Sequence, residues 1–291
     1  MKRYFWISAL VFGTCIAGLY LYQYYSLQSR LAEMEKPQTR SSSMPVVNLE
    51  ALDGLPLPVQ RYFRLVLRNG QPMIRTVRMQ QKGELMPDPQ AKEYILFEAV
   101  HFARSPDPAF LWNASMVILP GIGIRVIDSL NSGTGASEVL LMSTFPMGSQ
   151  ENVPEINSGA LYRYLAESVW YPTALLPDNG VEWEGIDANR AKATLSQDGI
   201  SATLEFRFNE RGEIEGIYTE DRSGIFDGEF KKYPWEGRFR DYREVDGMLV
   251  PFYGEVGWHL PSGFWLFWKG QIQDFHYEWH VATSRTIPKL Q

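Results

Sequence analysis

Residues Tyr4 to Tyr25, YFWISALVFGTCIAGLYLYQYY, run for 22 positions without a charged side chain. As an α-helix rising about 1.5 Å per residue, such a run reaches roughly 33 Å, the depth of a bilayer's hydrocarbon core. It therefore predicts an N-terminal transmembrane helix. A cleaved signal peptide has an apolar region of only about 7–15 residues and ends at a small-residue site. Here the apolar run continues through Tyr24 and Tyr25 with no such site. Lipoprotein processing would use Cys15, the only cysteine, but Phe12-Gly13-Thr14 is a poor signal and Ile16-Ala17-Gly18-Leu19 stays membrane-like.

Tyr4 and Trp6 flank one end of the run and Tyr20, Tyr22, Tyr24 and Tyr25 the other, where polar-tipped rings settle at headgroup level. Lys2 and Arg3 precede the run directly, and Arg30 is the one cation close behind it. That flank asymmetry favours a cytoplasmic N-terminus. The expected setting is a single-pass inner (cell) membrane protein with its main domain periplasmic or otherwise extracytoplasmic. Without a cysteine after position 15, that domain has no disulfide and no thiol nucleophile.

Residues 1–36 hold four of the 28 basic and two of the 34 acidic groups, so the remainder has 24 against 32, a net of −8. A domain this acidic is poorly suited to phosphate backbones, which excludes nucleic acid as a partner. Residues 37–48, PQTRSSSMPVVN, read as a flexible linker too polar to bury itself. Beyond it, 49–291 read as a single antiparallel β domain, with 1–36 the transmembrane anchor and juxtamembrane segment.

Pro58 suits a first helical turn, and Val59, Tyr62, Phe63 and Val66 follow at i, i+3, i+4 and i+7. This spacing predicts an amphipathic helix ending near Asn69-Gly70. From residue 73 the pattern alternates. Strands are expected at 73–84, 93–103, 109–118, 122–130 and 136–145, then 181–186, 190–197, 200–208, 213–222, 235–245, 248–260 and 263–281. Turn signals at Asp198-Gly199, Arg211-Gly212, Asp246-Gly247 and Pro261-Ser262-Gly263 separate the later ones. Many strands at regular spacing without βαβ alternation predict a mainly β fold: a strongly curved antiparallel sheet, a half-barrel or open barrel, with one or two covering helices. Trp112, Trp183, Trp235, Trp258, Trp265 and Trp268 fall in these strands and can line the concave face.

The segment 158–170 interrupts the strands, with Ser158 as the expected N-cap and Pro172 disfavouring continuation at Tyr171. Arg163 and Glu167 lie at i, i+4 in this otherwise apolar helix. Packed inside a curved sheet they need partners. A ligand headgroup anchor and a structural ion pair both satisfy that need. On the last strand Asp274, His276, Glu278 and His280 share one face, with Phe275, Tyr277 and Trp279 on the other. His-x-His with a carboxylate can hold zinc; a solvated strand face explains the same alternation. In the hairpin around Pro261-Ser262-Gly263, taking Phe264, Leu266 and Trp268 as inward places Trp265 and Phe267 outward, as an aromatic tip or a ligand mouth. A strand buried on both faces fits equally well.

No G-x-S-x-G, H-E-x-x-H or phosphate-cradling glycine loop occurs, so no catalytic motif or cofactor is indicated. Carboxylate pairs could be drawn from Asp128, Glu167, Asp241 or Glu255, but sequence brings no two of them together. Three segments, Leu55-Pro56-Leu57-Pro58-Val59-Gln60-Arg61-Tyr62-Phe63, Arg163-Tyr164-Leu165-Ala166-Glu167 and Trp170-Tyr171-Pro172-Thr173-Ala174-Leu175-Leu176-Pro177, resemble an uncharacterised bacterial domain-of-unknown-function family. The resemblance covers about residue 50 to the end and implies no activity. In outline the expected half-barrel is similar to periplasmic lipoprotein carriers. These readings converge on a membrane-anchored extracytoplasmic protein that binds a lipid or other apolar ligand, with Arg163, Glu167, Trp170, Trp258 and Trp265 as ligand-binding residues. The alternatives are a metal-assisted enzyme using the row around His276 and His280, or a non-catalytic envelope assembly or sensing module.

Overall fold

Helix α1 (Lys2–Glu35) opens the chain, and α2 (Leu57–Val66) leads into the sheet. The computed structural model describes residues 2–36 and 46–280, and the side chains of these except 2–5, 8 and 9. The expected linker therefore falls mostly outside the described residues. Its described end is held in place: Val47 is buried, and its amide donates to the Gln71 carbonyl at 2.9 Å.

In α2 the predicted stripe Val59, Tyr62, Phe63 and Val66 is fully buried, with Pro58 in the first turn. Tyr62 and Phe63 pack against Phe208 and Trp183 and close one end of the core.

Six strands follow as a meander: β1 (Ile74–Leu85), β2 (Ile95–Arg104), β3 (Ala109–Leu119), β4 (Ile122–Asn131), β5 (Thr134–Leu141) and β6 (Phe145–Glu151). Helix α3 (Pro154–Glu167) then crosses the concave side, trailed by short 3-10 turns at Ser168–Trp170, Pro172–Leu175 and Pro177–Asn179. The second set comprises β7 (Val181–Gly185), β8 (Arg190–Gln197), β9 (Ile200–Phe208), β10 (Ile214–Thr219), the ribbon β11 (Ser223–Phe226) and β12 (Glu229–Lys232), then β13 (Trp235–Val245), β14 (Met248–Leu260) and β15 (Gly263–Trp279).

Thirteen strands form one sheet in the order β6-β5-β4-β3-β2-β1-β15-β14-β13-β10-β9-β8-β7, and its ladders are antiparallel. The first meander runs outward from β1, α3 carries the chain across, and the second meander returns until β15 pairs with β1. Its edges β6 and β7 do not pair, so the sheet is a curled half-barrel and no closed barrel. Strand twist accumulates until opposite hairpins nearly touch. A Cβ on Gly133, in the β4–β5 turn, would lie 2.8 Å from the Asp198 Cβ in the β8–β9 turn. Asp198-Gly199 and Asp246-Gly247 adopt positive φ at both positions (50° and 81°, 49° and 80°), the hairpin geometry their sequence predicts.

Several expectations need correction. The stretch 136–145 is parts of two strands, β5 and β6, and 213–222 ends early at Thr219 before the ribbon. The ribbon turns at Asp227-Gly228, with φ of 55° and 78°, a hairpin signal of the same kind. Helix α3 begins at Pro154 with Val153 as N-cap, so Ser158 lies inside it and caps nothing. Trp265 and Phe267 face the core, and Phe264 is exposed. The cause is a pair of one-residue irregularities in β15. Val256 pairs with Trp268 and Gly257 with Leu266, leaving Phe267 extra; Gln80 pairs with Asp274 and Gln81 with Ile272, leaving Gln273 extra. Each added residue reverses which alternation points inward.

Helix α1 has two unlike halves. The first exposes Trp6, Leu10, Val11, Phe12 and Tyr22. The second lies on the outer face of the sheet, where Leu27 and Met34 join Phe102, Leu111, Ile127 and Leu140 in a small core of their own. Arg30 pairs with Glu138 at 2.8 Å, and Arg104 donates to the Met34 carbonyl at 2.9 Å. Among the described residues no helix is long and apolar enough to cross a membrane.

Candidate functional site

Helix α3 sits in the hollow because its sequence gives it almost no polar face to show water. Leu161, Tyr162, Tyr164, Leu165 and Ala166 are buried, and hydrogen bonds tie the helix and the turns after it to the sheet. The Tyr164 hydroxyl donates to the Arg104 carbonyl at 3.0 Å, and the Tyr277 hydroxyl donates to the Trp170 carbonyl at 2.7 Å. The backbone N–H of Ile74 donates to Thr173 Oγ1 at 3.1 Å, fixing the turns after the helix against β1.

These contacts leave part of the hollow unfilled. A cavity of ≈ 320 Å³ lies between α3, the ribbon and the aromatic strands. Its apolar wall comes from Trp170, Trp235, Phe239, Trp258, Trp265 and Trp268, and its polar wall from Asp128, Arg163, Glu167 and Arg222. Ile225 and Phe230 of the ribbon line it while remaining exposed, which marks the mouth. All five residues named from the sequence, Arg163, Glu167, Trp170, Trp258 and Trp265, line this one space.

Arg163 is the hub of the polar wall. Its Nε donates to Glu167 Oε1 and its Nη1 to Asp128 Oδ2, each at 2.8 Å. Its guanidinium also lies 5.0 Å from the Phe110 ring centroid and 4.9 Å from that of Trp112. Burial opposes the charge on Arg163, but Glu167 and Asp128 outweigh it and hold the proton more tightly than in free arginine. Burial pushes the Glu167 carboxyl upward, with Arg163 pulling the other way.

Glu167 Oε2 lies 3.5 Å from Nε2 of His101. That imidazole is fully buried, stacked on Phe110 and edge-on to Trp170. Burial first, and the Arg163 charge second, hold His101 well below the usual histidine range, so the ring is neutral at pH 7.

Arg222, immediately before the ribbon, was not singled out from the sequence. Its guanidinium lies 4.5 Å from the Trp235 ring centroid and 5.1 Å from that of Trp258. Its Nη2 donates to the Gly159 carbonyl at 3.4 Å, and its enclosed Nε has no hydrogen-bond partner among the described residues. Burial, then repulsion from Arg163, bring its pKa down to about 10, which leaves it charged at neutral pH. The signal that could have found it is Asp227-Gly228: recognising that hairpin, in which Ser223 pairs with Lys232, brings Arg222 and Trp235 to the same end of the ribbon.

Of the four carboxylates weighed from sequence, Asp128 and Glu167 meet through Arg163. Glu255 lines the same cavity but faces Arg238 and Arg240 at 3.8 and 3.7 Å, and Asp241 pairs with Arg243 on the outer surface. The row Asp274, His276 and Glu278 lies exposed on the outer face of β15, away from the cavity. Glu278 there pairs with Arg75, and the His280 ring contacts the Ser105 carbonyl at 3.4 Å. Among the described residues no group of three or more His, Cys, Asp or Glu side chains comes together to hold a metal ion.

A family model described as "Family of unknown function (DUF6920)" matches residues 53–277. No curated protein matches the chain. Among solved structures, a LolA superfamily protein from Nitrosomonas europaea overlaps 79% of this chain and 93% of its own at 10% identity and a TM-score of 0.35. That overlap is too loose to carry a functional argument.

Proposed function

The chain belongs to the DUF6920 family of unknown function, and we propose on that premise that it binds a lipid or other apolar molecule beneath α3. The observation that carries this reading is the aromatic-walled space of ≈ 320 Å³. It sits at the lower end of the range of about 300–1,000 Å³ usual for small-molecule sites, and combines an apolar lining with a few convergent polar groups. Well-packed cores leave few voids larger than a water molecule, so a hollow of this size beside fixed guanidinium groups calls for an occupant.

The same proposal places the domain at the extracytoplasmic surface of the cell membrane, held there by Tyr4 to Tyr25. Its support is the uncharged run itself, part of which lies outside the described side chains, and the apolar exposure of the first half of α1. Val117, Ile118, Leu119 and Ile122 at the β3–β4 turn, with Phe145 and Met147 on β6, add further exposed apolar surface. Single exposed apolar residues are ordinary, but clusters mark contact surfaces.

Titrating the purified full chain in mild detergent with N-phenyl-1-naphthylamine, a neutral fluorophore, tests the cavity. Saturable binding that Ala136→Trp weakens at least tenfold is expected; unsaturable or unchanged binding would remove the reading. Alkaline-carbonate extraction of membranes, followed by protease treatment of spheroplasts, tests the location.

A further inference from the structure

Five residues that line the cavity carry hydrogen-bond donors that lack acceptors. Nε of Arg222 and the indole nitrogens of Trp170, Trp235, Trp265 and Trp268 are enclosed with no partner among the described residues. A buried donor left unpaired costs about 1–3 kcal/mol, so several around one space are an arrangement that an acceptor from outside would complete.

The carboxylates nearby do not supply it. Asp128 and Glu167 are taken up by Arg163, and Glu255 faces Arg238 and Arg240. Glu155, at the start of α3, makes no ion pair with Arg222 within 4.0 Å among the described residues. Glu167 Oε2, an enclosed carboxylate oxygen without a hydrogen-bond partner among the described residues, lies beside His101. Among the described residues Arg222 therefore carries its charge without an ion pair within 4.0 Å, with Asp128 and Glu167 attracting it only from further off. Trp235 and Trp258 flank its guanidinium at 4.5 and 5.1 Å from their ring centroids, and Nε still lacks an acceptor, a setting suited to a planar or tetrahedral oxyanion.

We propose that Arg222 is the headgroup site of the cavity, and that the ligand is an anionic amphiphile whose carboxylate or phosphate seats on this guanidinium while its apolar chain lies against the tryptophans. This inference deepens the apolar-ligand reading and rests on it. The alcohol of the same chain length would fill the aromatic wall equally well but bring no charge to Arg222.

The test uses the full-length protein and isothermal titration with decanoate, 1-decanol and acetate at pH 7.5. Decanoate is expected to bind at least tenfold more tightly than 1-decanol, and Arg222→Gln to abolish that difference. Acetate alone is expected to neither bind nor displace decanoate. Equal binding of acid and alcohol by the unaltered protein would overturn the headgroup site and leave the apolar cavity standing. Displacement of decanoate by acetate would overturn the amphiphile in favour of a small free anion. Binding of none of the three overturns both readings. The comparison of acid with alcohol needs no variant, so it decides the matter even where R222Q fails to fold.

Discussion

Nη1 of Arg163 lies 2.8 Å from Oδ2 of Asp128, joining the helix inside the hollow to the fourth strand of the sheet around it. The two residues are 35 positions apart in sequence. Their pairing sets the height of α3 above the sheet and so the depth of the cavity beside it. Asp128→Asn removes the charge while keeping the shape. It should destabilise the fold by about 1–3 kcal/mol, because Arg163 stays partly buried with one of its two counter-charges gone. Urea unfolding followed by tryptophan fluorescence measures this; an unchanged midpoint would show that Glu167 alone suffices.

The seam between the two meanders gives a prediction of unusual sign. At Gly83, on β1, an added Cβ would lie 2.2 Å from the Lys269 carbonyl oxygen and 2.8 Å from the Gly270 Cα. Replacing glycine by alanine often stabilises a chain by about 0.4–1 kcal/mol by restricting the unfolded state. Here the new methyl meets backbone that cannot swing aside. Gly83→Ala should therefore lower stability by about 1–3 kcal/mol, read as a fall in melting temperature.

Acid stability should report His101. Its folded-state pKa is held below the ordinary value of about 6.5, so the unfolded chain takes up a proton that the folded one refuses. The contribution to stability is complete above about pH 6.5 and is lost as pH falls from there toward the folded-state pKa. Melting temperatures at pH 7.5, 6.5, 5.5 and 5.0 should thus fall more steeply for the native protein than for His101→Gln. Parallel curves would show that other groups govern acid unfolding.

The docked half of α1 is the subject of a fourth prediction. Leu27 is buried against Phe102, Leu111, Ile127 and Leu140 although it belongs to the helix that begins with the uncharged run. Leu27→Ala should cost about 2–5 kcal/mol if this small core unfolds with the domain. A chain starting at Ser26 should keep full stability, whereas one starting at Gln38 should lose it and expose the outer sheet face. Differential scanning fluorimetry on the three chains separates these outcomes.

Much of this architecture was legible residue by residue. The stripe Val59, Tyr62, Phe63 and Val66 gave α2, and Asp198-Gly199 and Asp246-Gly247 gave two hairpins, because helical period and turn dihedrals are settled within a few consecutive residues. The pairing of Arg163 with Glu167 was readable for the same reason, since i and i+4 are neighbours on any helix. Trp265 was read to the wrong side of its strand. Its direction depends on the extra residue at Phe267, and that extra residue is accommodated where Gly257 lets Phe264 and the Trp265 carbonyl come close, at 2.5 and 2.6 Å from where a Cβ would stand.

Arg222 illustrates the other limit. Chemistry fixed its charge, but nothing near it in sequence says that Trp235 and Trp258 will enclose it or that Asp128, Glu167 and Glu255 will be drawn to other arginines. The amino-acid order by itself determined most of the strands, several of their turns and the presence of a helix between the two strand sets, since each rests on local dihedral preference and alternation. Which side chains share the hollow, and which charge is left without a close ion pair, was decided only by the tertiary structure. That outcome depends on twist summed over thirteen strands and on single-residue shifts in register, both properties of the assembled sheet.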